Sequence, residues 1–229
     1  MSEVTEFATR EALMAATAER IAEALSAGIA ERGEACAALS GGGTPEPAYA
    51  LLASTSLDWP RVTFALVDER FVPPTHEASN EAMLRRALAP ALAKGARLVP
   101  MYSPTESVSE AATRADALYA PLRFDIAVMG MGADGHTASW FEGAQGLDAA
   151  LDPHTAHTVT ALHAPQAAGS PERLSLTLAA LARAARVLLV ITAPEKLARL
   201  AAARSGVQPA PVLRLWHPVL PNPNVLWAP

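Results

Sequence analysis

Cysteine, clustered positive charge and long apolar runs are all scarce in this 229-residue chain, and each scarcity removes a class of function. The single cysteine, Cys36, leaves no partner for an intrachain disulfide and no cysteine-based zinc site; its place in an apolar run predicts a buried, inert thiol. With 18 Lys and Arg against 23 Asp and Glu, the formal net charge is −5 and no basic cluster occurs, so no nucleic-acid partner is expected. No apolar stretch approaches the roughly 18 residues of a membrane span, and the opening residues Met1 to Glu6 carry no basic leader. The expectation is a cytoplasmic protein with no membrane partner. Apolar side chains, by contrast, make up 51% of the chain, ample for a sizeable core in a single domain over 1–229.

The apolar pattern alternates between two periods. Met14, Ala18, Ile21, Leu25 and Ile29 recur at spacings of three and four, which predicts an amphipathic helix over about residues 8–32 ended by Gly33. A short strand from Ala35 to Leu39 and a helix through Leu52 follow, then a continuous apolar strand from Val62 to Val67 that stops in Asp68, Glu69 and Arg70. Helices are predicted from Ser79 to Leu88, Glu106 to Tyr119 and Pro194 to Ala203, with strands from Phe124 to Met129, Ala156 to Leu162 and Arg186 to Thr192. The tail offers two apolar pieces, Val212 to Trp216 and Val225 to Trp227, among prolines that suit turns and edge positions. Strands alternating with helices imply an α/β fold: one domain with a doubly wound, mainly parallel sheet flanked by helices in three Rossmann-like layers.

Two glycine-rich turns follow predicted strands, where open α/β sheets bind ligands. In the first, Ser40 to Thr44, the amides of Gly41, Gly42 and Gly43 and the hydroxyls of Ser40 and Thr44 can cradle a phosphate. Thr44 is placed to cap the next helix and Pro45 to open it. The turn lacks the Gly-Lys-Ser/Thr ending of a Walker A loop. In the second, Gly130 to Thr137, glycines hold an acid and an imidazole, Asp134 and His136, with His136 expected to start a helix. Gly130, Gly132 and Gly135 match the spacing of a dinucleotide fingerprint, but Asp134 sits where a pyrophosphate would lie, and no strand ending in an acid follows about 20 residues on. The pair His154 and His157 reads as surface histidines, and no metal is expected. Asp68, Glu69 and Arg70 should share this sheet edge. Lys196, in the helix after the Arg186 to Thr192 strand, can meet an anion there, and Trp216 and Trp227 should pack.

Taken together, Ser40 to Pro45, Asp68 to Arg70 with Ser79 and Asn80, Gly130 to Ser139, and Pro171 to Arg173 resemble the glucosamine-6-phosphate isomerase/6-phosphogluconolactonase family over nearly the whole chain, on its lactonase side. That resemblance implies a sugar-phosphate lactone as substrate, the pentose phosphate pathway, and no required cofactor. Deaminase relatives carry a glutamate five residues after the motif histidine; here that position is Phe141, with an acid only at Glu142. Lactonase relatives often place a lysine before Pro171, whereas this chain has Ala164 to Ser170 without one.

On that reading His136 is the general base that activates water, Asp134 orients it, and Arg70 stabilises negative charge on the substrate, at the oxyanion or at the phosphate. Gly42, Gly43, Thr44 and Lys196 would hold the phosphate, with Asp68 and Arg173 as further substrate contacts. Two rivals remain. A sugar-phosphate deaminase or isomerase would use Asp68 to move protons on an open-chain sugar. A non-catalytic sugar-phosphate sensor would keep the glycine turn and Lys196 but need no Asp134 and His136 pair.

Overall fold

A computed structural model describes residues 4–229. The chain runs β1 (Val4–Glu6), α1 (Arg10–Arg32), β2 (Ala35–Leu39), α2 (Glu46–Ala53), β3 (Val62–Leu66), β4 (Asp68–Arg70), α3 (Asn80–Ala87), α4 (Ala89–Ala93) and β5 (Arg97–Leu98). It continues through α5 (Val108–Tyr119), β6 (Ile126–Met129), α6 (Leu147–Leu151), β7 (Val159–His163), β8 (Glu172–Leu176), α7 (Leu178–Ala182), β9 (Val187–Thr192), α8 (Pro194–Arg204) and β10 (Asn224–Ala228). Seven strands form a parallel sheet in the order β1-β10-β9-β6-β2-β3-β5, and β4, β8 and β7 form a small antiparallel sheet.

The expected α/β architecture with a mainly parallel sheet and flanking helices is the observed one. Its strands β2, β3 and β9 are buried on both faces, as continuous apolar runs require. One apolar cluster extends from Leu13 to Ala228 and includes Cys36, the expected buried thiol. Helix α1 begins where the Thr9 hydroxyl accepts from the Ala12 amide at 3.2 Å. It ends at Gly33, whose left-handed φ of 82° lets its amide return to the Ile29 carbonyl. Trp227 packs partly buried on the core, donating from Nε1 to the Ala193 carbonyl at 3.1 Å.

The winding reverses between β6 and β2: β2, β3 and β5 spread one way, β6, β9 and β10 the other. The loops leaving these two central strands must diverge there and open a crevice at their carboxyl ends. Both glycine turns lie on that edge, and Ser40 N–H donates to Val128 O across it at 3.0 Å.

Several local expectations fail for identifiable reasons. Asp68 to Arg70 do not merely end β3. The chain leaves the main sheet at Val67 and starts β4, which pairs with β8, an unexpected strand. The piece from Val225 to Trp227 lies inside the sheet between β1 and β9, not at an edge or turn. Pro221 and Pro223 precede the strand and cost it no ladder hydrogen bond. His136 does not start a helix: Gly135 at φ 91° and Ala138 at φ 50° are left-handed, and the segment closes as a tight turn. Thr44 does not cap α2, which starts at Glu46 with Pro45 preceding it and no side-chain cap. With Thr44 as cap, Pro47 would stand third in the helix, and it has no N–H to offer a capping hydroxyl.

Candidate active site

A cavity of about 300 Å³, within the size range of small-molecule sites, opens at the divergence of β2 and β6. Its walls bring together His136, Arg70, Asp68, Arg173, Lys196 and the Gly42, Gly43 and Thr44 turn. Of the residues expected from the sequence to have a catalytic or substrate-binding role, Asp134 alone is not on the wall. It stands behind the imidazole, its carboxylate 2.6 Å from His136 Nδ1 and accepting from the His136 amide at 3.1 Å. Burial opposes ionisation of Asp134, but these hydrogen bonds and the charge of the ring outweigh it and hold the carboxyl below its ordinary value. A carboxylate facing Nδ1 fixes the proton there and leaves Nε2 as the basic nitrogen.

The turn that carries the dyad can only be built with glycine at position 132. A Cβ there would stand 2.1 Å from His136 Cε1 and 2.7 Å from Asp134 Oδ1. Gly132 N–H donates to His136 O at 2.9 Å, and Gly135 N–H to Gly132 O at 3.0 Å, closing the loop beneath the ring. Thr137 Oγ1 donates to Gly130 O at 2.7 Å, and Ser139 Oγ to Asp68 Oδ2 at 2.7 Å, tying this turn to β6 and to β4. Phe141, at the position where deaminase relatives carry a glutamate, stacks on the imidazole with centroids 4.0 Å apart. Glu142 is exposed and off the cavity wall.

Arg70 and Arg173 face each other in the β4–β8 ladder. Arg173 is buried and held by the carbonyls of Ser170 and Ala168, so the loop without a lysine serves to anchor this guanidinium. Burial lowers the Arg173 pKa, and the nearby Arg70 adds to that, while Asp68 works the other way. Arg70 donates to the Ala78 carbonyl, but its buried Nε has no partner among the described residues. No ion pair is made by either arginine among the described residues. Two guanidiniums opposite one another, neither of them in an ion pair, favour an anion between them.

Lys196 enters from the first turn of α8. Burial lowers its pKa, with Asp134 opposing, and no carboxylate pairs with it among the described residues. The preceding Ala193 has φ 73° and ψ 141°, a conformation that costs a non-glycine residue about 1–3 kcal/mol. Its amide and carbonyl are pinned by Ala228 and Trp227, which set the entry of the helix that carries Lys196.

Sequence reasoning passed over the supporting role of Glu69. Fully buried, it accepts from the amides of Arg70, Asn80 and Glu81 and from Ser79 Oγ, all at 2.7–3.0 Å. Burial pushes its pKa up to about 7 in spite of those four donors. Asn80 next to it lines the cavity and donates to the Asp68 carbonyl at 2.8 Å; a side chain at Gly41 would collide with it. The polar run Ser79, Asn80 and Glu81 at the predicted start of α3 was the available signal. His157 is exposed and pairs with Asp116 at 2.9 Å, and no metal-ligating cluster occurs among the described residues. No helix there is long and apolar enough to cross a membrane.

Residues 8–223 match the family described as glucosamine-6-phosphate isomerases/6-phosphogluconolactonase. The chain is 41% identical to the 6-phosphogluconolactonase of Pseudomonas putida over 99% of its own length and 93% of that protein. It is 39% identical to that of Rhizobium meliloti, covering 97% of each. The crystal structure of a 6-phosphogluconolactonase from Shewanella baltica superimposes with a TM-score of 0.90 at 29% identity, covering 100% of this chain and 98% of that one. The 6-phosphogluconolactonase structure from Trypanosoma brucei gives 0.80 at 26% identity, covering 100% and 96%.

Proposed function

The chain belongs to the glucosamine-6-phosphate isomerase/6-phosphogluconolactonase family, and we propose that its cavity hydrolyses a sugar-phosphate lactone with His136 as general base. The reaction is the opening of 6-phospho-D-glucono-1,5-lactone to 6-phospho-D-gluconate, a step of the oxidative pentose phosphate pathway. The observation that carries this reading is His136 on the wall of a cavity, backed by Asp134, with Arg70, Arg173 and Lys196 on the other walls and in no ion pair among the described residues.

Each group answers one demand of the chemistry. His136 Nε2 accepts a proton from water as the oxygen attacks the lactone carbonyl, while Asp134 holds the ring and stabilises the imidazolium. The carbonyl oxygen becomes an oxyanion, and Arg70, with a buried Nε short of a partner, is the donor best suited to meet it. Arg173 supports the same anionic end, which becomes the product carboxylate. The oxyanion then collapses, the bond from that carbon to the ring oxygen breaks, the imidazolium gives its proton to that oxygen, and the new carboxylic acid loses its remaining proton to water. The Gly42, Gly43 and Thr44 turn and Lys196 take the phosphate, while Asp68 and Asn80 face sugar hydroxyls. The ligand is this small sugar phosphate, and the protein acts in the cytoplasm.

A deaminase or isomerase reading has less support. Among the described residues Asp68 is the sole carboxylate on the cavity wall, and Ser139 already occupies one of its oxygens. Purified protein assayed with freshly made 6-phosphogluconolactone and with glucosamine 6-phosphate separates the readings. Turnover of the first above spontaneous hydrolysis and none of the second is expected; the reverse outcome overturns the proposal.

A further inference from the structure

We propose that Phe141 is a positioning residue for this reaction, its aromatic face keeping the His136 imidazole seated against Asp134 and at a set separation from Arg173. The inference rests on the reading of His136 as the base. Among the described residues the imidazole has one side-chain hydrogen bond, to Asp134, and that carboxylate is itself 56% exposed. One bond to an exposed group leaves the ring free to swing about its own side-chain torsions. Two surfaces confine it: the bare backbone of Gly132 and the ring of Phe141, stacked at 4.0 Å with an interplanar angle of 27°. The Arg173 guanidinium carbon lies 5.6 Å from the centroid of the same Phe141 ring. One rigid slab therefore touches the base and one of the two cations that face the carbonyl end of the substrate.

Phe141 is well placed to be rigid. It is 5% exposed, and Trp140 beside it is fully buried, with its indole donating to Leu176 O at 3.1 Å. Ser139, also fully buried, is bonded to Asp68 on β4. A residue that served only to fill space would be replaceable by any apolar side chain of similar volume. A positioning face requires a flat ring, because imidazole and guanidinium stack on a π surface and slide on an aliphatic one.

Phe141→Leu and Phe141→Tyr separate these roles. Three quantities are measured: initial rates with fresh 6-phosphogluconolactone, the Kd of 6-phosphogluconate by calorimetry, and the His136 Nδ1–H signal by NMR. Phe141→Leu should lower kcat by about 10- to 100-fold, the scale of a displaced catalytic group, with KM and the product Kd nearly unchanged. Phe141→Tyr should restore most of kcat. The Nδ1–H signal should persist in the parent and in Phe141→Tyr and broaden away in Phe141→Leu. Parental kcat in folded Phe141→Leu overturns the inference, as does an equal loss of kcat and product affinity in both variants, the mark of packing alone. If the parent fails to open the lactone, the functional reading falls. The NMR arm still decides: an Nδ1–H signal in Phe141→Leu matching the parent's overturns the positioning role.

Discussion

Arg70 and Arg173 stand directly opposite one another in the β4–β8 ladder, both on the cavity wall, and neither forms an ion pair among the described residues. Such a pair repels in the empty site and is relieved when an anion enters. Ligand at 100 times its Kd should stabilise the fold by about 2.7 kcal/mol. Thermal unfolding with and without 6-phosphogluconate measures this, and the gain at the same ligand concentration should be largely lost in Arg173→Met.

Arg70→Lys should not rescue function, because an ammonium cannot reproduce the paired donors of a planar guanidinium. A fall in kcat/KM of about 100-fold, typical of losing one oxyanion donor, is expected from initial rates corrected for spontaneous hydrolysis. A folded variant with parental kcat/KM would remove Arg70 from the reacting centre.

His136→Asn should lose about 10²- to 10⁴-fold in kcat, the usual worth of a general base, yet still bind 6-phosphogluconate through the phosphate contacts. Retention of parental kcat after correction for background would exclude His136 as the base.

Lys196→Ala should chiefly raise KM. A tenfold loss of affinity corresponds to about 1.4 kcal/mol, a reasonable scale for one half-buried cation facing a phosphate. Equal handling of the phosphorylated lactone by variant and parent would show that Lys196 contributes nothing to the anchor.

Glu69 makes a prediction about stability and pH. Its folded pKa is raised to about 7, so the folded state binds more protons than the unfolded chain between the ordinary glutamate range and neutrality. The contribution is therefore greatest below the unfolded pKa and is lost as pH rises through about 7. Denaturant titrations from pH 5 to 8 should show this part of the slope in the parent and not in Glu69→Gln. Identical slopes would mean that Glu69 is ionised throughout.

The parts of this molecule legible in its sequence are those set by local pattern. The period of three and four in α1 and the terminating Gly33 act within a few residues of one another, and so do the apolar runs of β2, β3 and β9. The glycines and the acid-imidazole spacing of Gly130 to His136 are local in the same sense, which is why the pairing of Asp134 with His136 is readable from the chain alone. Tertiary structure decided what depends on partners far along the chain. Strand β4 is three charged residues and exists only because β8, about a hundred residues later, supplies its ladder. β10 becomes an interior strand only because β1 and β9 close on it. His136 sits in a turn because the left-handed φ angles of Gly135 and Ala138, on either side of it, forbid a helix. The meeting of Arg70 with Arg173, and of both with His136, required two sheets to be placed. No local pattern encodes that placement, because it arises from burying many small apolar surfaces at once.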